Sequence, residues 1–262
     1  MHRRSLTLAA LASSAFLLPI GDAAAPTTLR YKIVQRMEQT VDASAMGQGE
    51  QKVVMGYSAY LTVVLDDSAA GRTVRAHLDS LVADPDAEPT IVAVLGRARG
   101  ASGAGFIGPD GKLVNFSEKA ADSTPAPTAL RGLVASLFPP VKPAAKPGEA
   151  WSDTTESADT TNGMPTSRRT TTNYKASEGA TVGGVRTMKL DVTGSYSVAG
   201  ANDAGIVFEG TGTQEGTFQR AGEGYLVDGT FNDNGSMTIT LPQSPEPIPM
   251  ATVSAVTITL LR

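Results

Sequence analysis

The stretch Tyr57-Ser58-Ala59-Tyr60-Leu61-Thr62-Val63-Val64-Leu65 decides the fold. Positions 57, 59, 61, 63 and 65 are all apolar, and the residues between them are more polar. Side chains on an extended chain point alternately to opposite faces, so this spacing predicts a strand with one buried face. The pattern recurs along the chain. Leu29, Tyr31 and Ile33 alternate with Arg30 and Lys32, and Met188, Leu190 and Val192 with Thr187, Lys189, Asp191 and Thr193. Met237, Ile239 and Leu241 alternate with Thr238 and Thr240, and Val256, Ile258 and Leu260 with Thr257 and Thr259. Threonine on the outer face favours strand without adding apolar surface. The whole reads as antiparallel sheet with one wet face.

Turn chemistry falls between these runs. Pro109-Asp110-Gly111 separates Gly105-Phe106-Ile107 from Lys112-Leu113-Val114, and Asp233-Asn234-Gly235 separates Tyr225–Phe231 from Ser236–Leu241. Both predict hairpins, because glycine and asparagine accept a positive φ. Ala199-Gly200-Ala201-Asn202-Asp203 and Ser68-Ala69-Ala70-Gly71 predict two more hairpin loops. The stretch Pro242–Pro249 holds four prolines and predicts an extended connection that cannot sit inside a sheet.

One segment reads clearly as helix. Leu130, Leu133, Val134, Leu137 and Phe138 fall at helical spacing, with Thr124 as cap, Pro125 in the first turn and Pro139-Pro140 as the stop. A stiff proline-rich connector then leads to Trp151, the single tryptophan. The two sides of the connector look alike, each with long alternating strands and later a glycine–aromatic hairpin. The predicted fold is all-β: a curved antiparallel sheet or half-barrel made of two related halves with one connecting amphipathic helix. The expected layout is a signal peptide at 1–24 and a single β-rich domain at 25–262. Within it lie half one at about 29–119, helix and connector at 120–149, and half two at about 150–262.

The phrase Leu137-Phe138-Pro139-Pro140-Val141, followed by Lys146-Pro147-Gly148-Glu149-Ala150-Trp151, resembles one found in uncharacterised secreted bacterial proteins. In those, a helix ends in a phenylalanine–proline pair, and a proline–glycine–x–x–tryptophan element opens the next strand. Such proteins look like the LolA/LolB/LppX-like group of periplasmic lipoprotein carriers. That resemblance implies a strongly curved antiparallel sheet, an incomplete barrel with short helices plugging its concave face, and a cavity able to hold acyl chains. The chain departs from the group in its greater length, its single clear helix and its 5% aromatic content.

The first residues, Met1-His2-Arg3-Arg4, precede an apolar run from Leu6 to Ile20 and then Gly21-Asp22-Ala23-Ala24-Ala25. A basic start, a short apolar middle and small residues predict a secretory signal peptide cleaved after Ala23 or Ala24. The Arg3-Arg4 pair lacks a surrounding twin-arginine motif, which favours ordinary secretory export. The chain holds no cysteine, so disulfides, thiol nucleophiles, thiolate metal sites and a lipobox are all excluded. The expected location is periplasmic or extracellular, exported and not lipid-anchored. No later segment is long and apolar enough for a membrane helix. A formal net charge of −4 without a dense basic patch argues against nucleic acid.

Candidate chemistry is sparse. Gly103-Ala104-Gly105-Phe106-Ile107-Gly108 has dinucleotide-binding spacing and follows an apolar run at Thr90–Leu95. However, a turn rather than a helix follows it, so a glycine-rich strand is expected. Gly100-Ala101-Ser102-Gly103-Ala104 misses a nucleophile elbow at its last residue. His77 shares an outer strand face with Arg75 and Asp79, while Val74, Ala76 and Leu78 point inward, and a solvated pair is the expected reading. One imidazole cannot supply a histidine metal site. Asn232-Asp233-Asn234-Gly235 lacks the distal glutamate of a calcium loop, Leu241 standing in its place. Asp66-Asp67, Asp84/Asp86 and Asp153/Glu156 are the carboxylate pairs on which a hydrolase would rest.

No catalytic residue, metal ligand or cofactor is expected. The leading expectation is a non-enzymatic exported protein that binds or carries an apolar small molecule or lipid beneath the helix. The cavity would be lined by Leu61, Val63, Leu65, Leu133, Leu137, Trp151, Met188, Leu190 and Val192. The alternatives are an envelope-associated interaction protein, which would use a sheet edge or the Pro242–Pro249 loop, and a carboxylate-based hydrolase.

Overall fold

The computed structural model describes residues 26–68, 71–85, 92, 95, 98–108, 111–119, 129–139, 142, 145–161, 164–243 and 246–261. The expected signal peptide at 1–24 lies outside them, as do Thr124, Pro125 and Asp86. The alternation seen in the sequence becomes eleven strands. In the first half these are β1 (Thr27–Asp42), β2 (Glu50–Ser68), β3 (Gly71–Ala83), β4 (Ser102–Ile107) and β5 (Leu113–Lys119). Helix α1 (Ala129–Ser136) follows. The second half contains β6 (Ala150–Thr161), β7 (Met164–Val182), β8 (Val185–Ala201), β9 (Val207–Ala221), β10 (Leu226–Thr240) and β11 (Ile248–Leu261).

All eleven belong to one antiparallel sheet in the order β5-β4-β3-β2-β1-β11-β10-β9-β8-β7-β6. Each half is an up-and-down meander, and the two join where β1 pairs with β11, from Arg30↔Leu261 to Val41↔Met250. β5 and β6 are the free edges, so the sheet does not close. Its curvature is visible in one contact. Arg72 of β3 donates a hydrogen bond to the carbonyl of Glu223 in the β9–β10 turn. Three strands, β2, β1 and β11, lie between β3 and β10 in the sheet order. At about 4.8 Å per strand a flat sheet would hold those positions some 19 Å apart, beyond the reach of an arginine. The sheet is a curved half-barrel.

The core occupies one end of the strands. Leu29, Tyr31 and Ile33 of β1, Ala59, Leu61, Val63 and Leu65 of β2, and Leu190 and Val192 of β8 are buried on the same face. Helix α1 packs there through Leu130, Leu133 and Val134, and Leu137 and Phe138 of the turn after it complete the stripe that the spacing predicts. The helix is fastened at both ends. Glu118 of β5 accepts from the Arg131 N–H at 2.7 Å, which satisfies an otherwise free donor of the first turn. The Leu137 carbonyl accepts from the Leu226 N–H at 3.0 Å, and the Leu226 carbonyl accepts from the buried Tyr31 hydroxyl at 2.8 Å. The register of β10 slips between Leu226 and Asp228, and this irregularity frees Leu226 for both bonds.

Three expectations are corrected. Asp233-Asn234-Gly235 is not a hairpin: β10 runs through it, paired with β11 on one side and β9 on the other. Ladders on both sides override the local turn preference, and the true reversal follows Thr240. The four-proline stretch is not wholly outside the sheet, because Pro249 lies in β11 opposite Thr238, just beyond the last β1 pair at Met250. That position is compatible with a residue that has no N–H to donate. The Asn202–Ile206 loop starts later than its sequence suggested, with Ala199–Ala201 still in β8. The Ser68–Gly71 and Gly108–Lys112 hairpins stand where expected.

Candidate functional site

The residues expected to line a cavity converge. Leu61, Val63, Leu65, Leu133, Leu137, Leu190 and Val192 belong to one buried cluster, and Trp151 and Met188 pack at its margin. Leu61, Leu137 and Leu190 are fully buried, so side chains fill this end of the half-barrel. Trp151 on edge strand β6 stacks on Tyr174, with ring centroids 5.1 Å apart. Burial, and then the Asp153 charge, raise the Tyr174 pKa above its ordinary value.

The candidate catalytic groups are placed differently. Ser102 lies directly opposite His77, on the outer face that His77 shares with Asp79. The three share a face without forming a relay. His77 Nε2, the nitrogen that would receive a serine proton, sits 3.9 Å from Asp79. Asp79 itself accepts from Thr62 at 2.8 Å. Asp66 and Asp67 pair with Arg75 and Arg72. Asp153 and Glu156 are three residues apart on one strand and therefore point to opposite faces. In Gly103–Gly108, the inner faces of Gly103 and Gly105 are covered by Phe116, so no phosphate could approach that backbone.

The other end of the same inner face is where the structure offers a surface. Past Val192, the inner positions of β8 are Gly194, Tyr196, Val198 and Gly200, all half-buried, while Thr193, Ser195, Ser197 and Ala199 face solvent. On β9 the inner positions are Phe208, Gly210, Gly212, Gln214 and Gly216, and on β10 they are Phe231, Asp233, Gly235, Met237 and Ile239. Large side chains lie flat across these glycines. A Cβ on Gly212 would collide with the Tyr196 ring, one on Gly210 with Met237, and one on Gly200 with Phe208. Across the β1–β11 junction the lining is methionine and aliphatic side chains interleaved with Gln35, Gln39, Thr252 and Ser254. Met37 stands opposite Met55, Met237 opposite Met250, and Val41 opposite Met250 on the other side. Gln39 donates its amide to the Met250 sulfur. Methionine adapts its shape to irregular apolar partners, and here four line one half-exposed wall.

A polar cluster borders this wall. The Asp233 carboxylate accepts from the Tyr196 hydroxyl at 2.9 Å and from the Gln214 amide at 2.8 Å. Arg168 approaches it more loosely, at 3.7 Å, and lies over the Tyr196 ring at 3.9 Å from the centroid. Burial, and then the hydrogen bond to Asp233, push the Tyr196 pKa up to about 12. The sequence reading missed Arg168, Tyr196, Gln214 and Asp233. The signal was partial: Phe231, Met237 and Ile239 share one phase of a period-two pattern, and Asp233 falls on that phase between them.

Compared with known proteins, the chain matches no protein-family model and no curated protein. Among the described residues no helix is long and apolar enough to cross a membrane, and no cluster of metal-ligating side chains occurs.

Proposed function

We propose that this is an exported, non-enzymatic protein that holds an apolar, lipid-like ligand against the inner face of its curved sheet. One observation carries the reading. The buried core continues, on the same face of the same strands, into a half-exposed wall that includes Met37, Met55, Met237 and Met250. A soluble protein covers such a surface or uses it, and a methionine-rich wall inside an open half-barrel, broken only by short polar side chains and two glutamines, suits an acyl chain. Movement of α1, carrying Leu133 and Leu137 away from Leu61 and Leu190, would extend the site into the core and serve as its gate. The resemblance to the LolA/LolB/LppX-like carriers supports the same reading, as does the expected signal peptide.

The test is to purify the protein from its native compartment, extract it with organic solvent and analyse the extract by mass spectrometry. Stoichiometric co-purifying lipid, and saturable binding of an apolar fluorescent probe, are the expected results. A lipid-free protein that binds no such probe overturns the proposal. A second reading rests on β6, a twelve-residue edge strand carrying Asp153, Glu156 and Asp159 and no basic residue. Its unpaired edge would accept a strand from an envelope partner. Whole-cell cross-linking that yields one dominant adduct through β6 would favour it.

A further inference from the structure

Among the described residues, one buried side-chain polar atom has no hydrogen-bond partner: the Nε of Arg220. Arg220 lies on the inner face of β9, two residues beyond buried Phe218, with Met188 and Leu226 as its cross-strand neighbours. No carboxylate among the described residues pairs with it. Glu178, on the same face two strands away, is exposed and forms no bridge to it, and Asp67 is held by Arg72. Burial lowers the Arg220 pKa, the direction expected for a cation that has lost water without gaining a partner. Arg220 is half-buried, but its Nε is shut off from water without an acceptor, which is costly and calls for an anion that the chain does not supply.

The surroundings show where that anion would enter. The guanidinium reaches the β9–β10 turn, where a Cβ on Gly224 would stand 3.1 Å from Nη2. Gly224 has φ +98°, a left-handed backbone that glycine adopts freely, and a Cβ on Gly222 would meet nothing within 4 Å. The turn therefore has room beside it. A second guanidinium, that of Arg72, bonds to the Glu223 carbonyl of the same turn. The Nε–Nη edge of arginine takes two oxygens of one carboxylate or phosphate.

We propose that Arg220 binds the anionic end of the ligand, a carboxylate or phosphate, at the β9–β10 turn, while its apolar remainder passes half-buried Met188 into the space that movement of α1 opens. This rests on the apolar-ligand reading above, in its extension into the core beneath α1, and assigns the polar end of a ligand held there. Binding of a fluorescent long-chain fatty acid is compared with binding of its methyl ester, using the full mature protein and its Arg220→Met and Arg220→Lys variants. Wild type should favour the acid about tenfold, as a charge-assisted contact implies. Arg220→Met should bind the two equally without losing the ester, and Arg220→Lys should fall between. Arg220→Met should also melt no lower than wild type, because it breaks no pair. Equal binding by wild type, a preserved preference in Arg220→Met, or a large fall in Tm for both variants overturns the assignment. If wild type binds neither amphiphile, the apolar reading falls and inorganic phosphate decides. A phosphate-induced rise in Tm that Arg220→Met abolishes keeps the anion site, and no rise removes it.

Discussion

The two ends of the strands obey the same alternation and have different fates. On β8, Leu190 and Val192 are buried, while Gly194, Tyr196, Val198 and Gly200 continue the same face half-exposed. On β1, Leu29, Tyr31 and Ile33 give way to Gln35, Met37, Gln39 and Val41 in the same manner. What differs is the cover. Helix α1 and the chain after it lie over the first end, tied down by the Leu137–Leu226–Tyr31 series of hydrogen bonds. Alternation thus assigns a face, and only a second layer turns that face into core.

The strongest way to break this comparison is to cut into the covered end. Leu190→Ala should cost about 2–5 kcal/mol, the usual range for a fully buried leucine, read from the urea midpoint. A loss below about 1 kcal/mol would show that the covered end is not the source of stability. At the open end, Gly212→Val places a branched side chain where the Tyr196 ring lies. Overpacking of that kind costs about 1–3 kcal/mol. It should also detach Tyr196 from Asp233 and return its ionisation toward the ordinary value near 10.

An alkaline titration sharpens the point without a change in packing. Wild type should release the Tyr196 proton only near pH 12, with burial holding the Tyr31 proton higher still, and Tyr196→Phe should remove the step near pH 12 in phenolate absorbance. Because the folded pKa lies above the unfolded one, the Tyr196 contribution to stability is complete below about pH 10. It is lost as the pH rises through about 12. The smallest effect on stability is expected for Met250→Gln. It should shift unfolding by no more than about 0.5 kcal/mol, as for a site outside the core. Apolar probe affinity should nevertheless fall about fivefold, the equivalent of one lost apolar contact of about 1 kcal/mol. A destabilisation like that of Leu190→Ala would make the open end part of the core.

Much of this was legible in the residues. Period two assigned faces correctly for Tyr57–Leu65, for Val74–Asp79 and for the helix-facing residues of β1. Helical spacing located α1 because all five stripe residues were apolar. The reading failed at Asp233-Asn234-Gly235, where local turn preference competed with ladders on both sides and lost. The polar cluster was hidden for the same reason: a residue assigned to a turn is not sought on an inner wall. Arg220 was hidden because only packing can show that a charged residue lacks a partner.

The seam between β1 and β11 sets when the two halves can join during synthesis. The first and last strands lie side by side in the middle of the sheet, not at its edges. A chain that emerges from its N-terminus can build two separate meanders, but it cannot join them until Ile248–Leu261 has arrived. Such distant pairing slows folding and leaves strand edges waiting. Removing the last strand would therefore split the molecule through its centre, leaving β1 and β10 as two raw edges, whereas losing β6 would only narrow it.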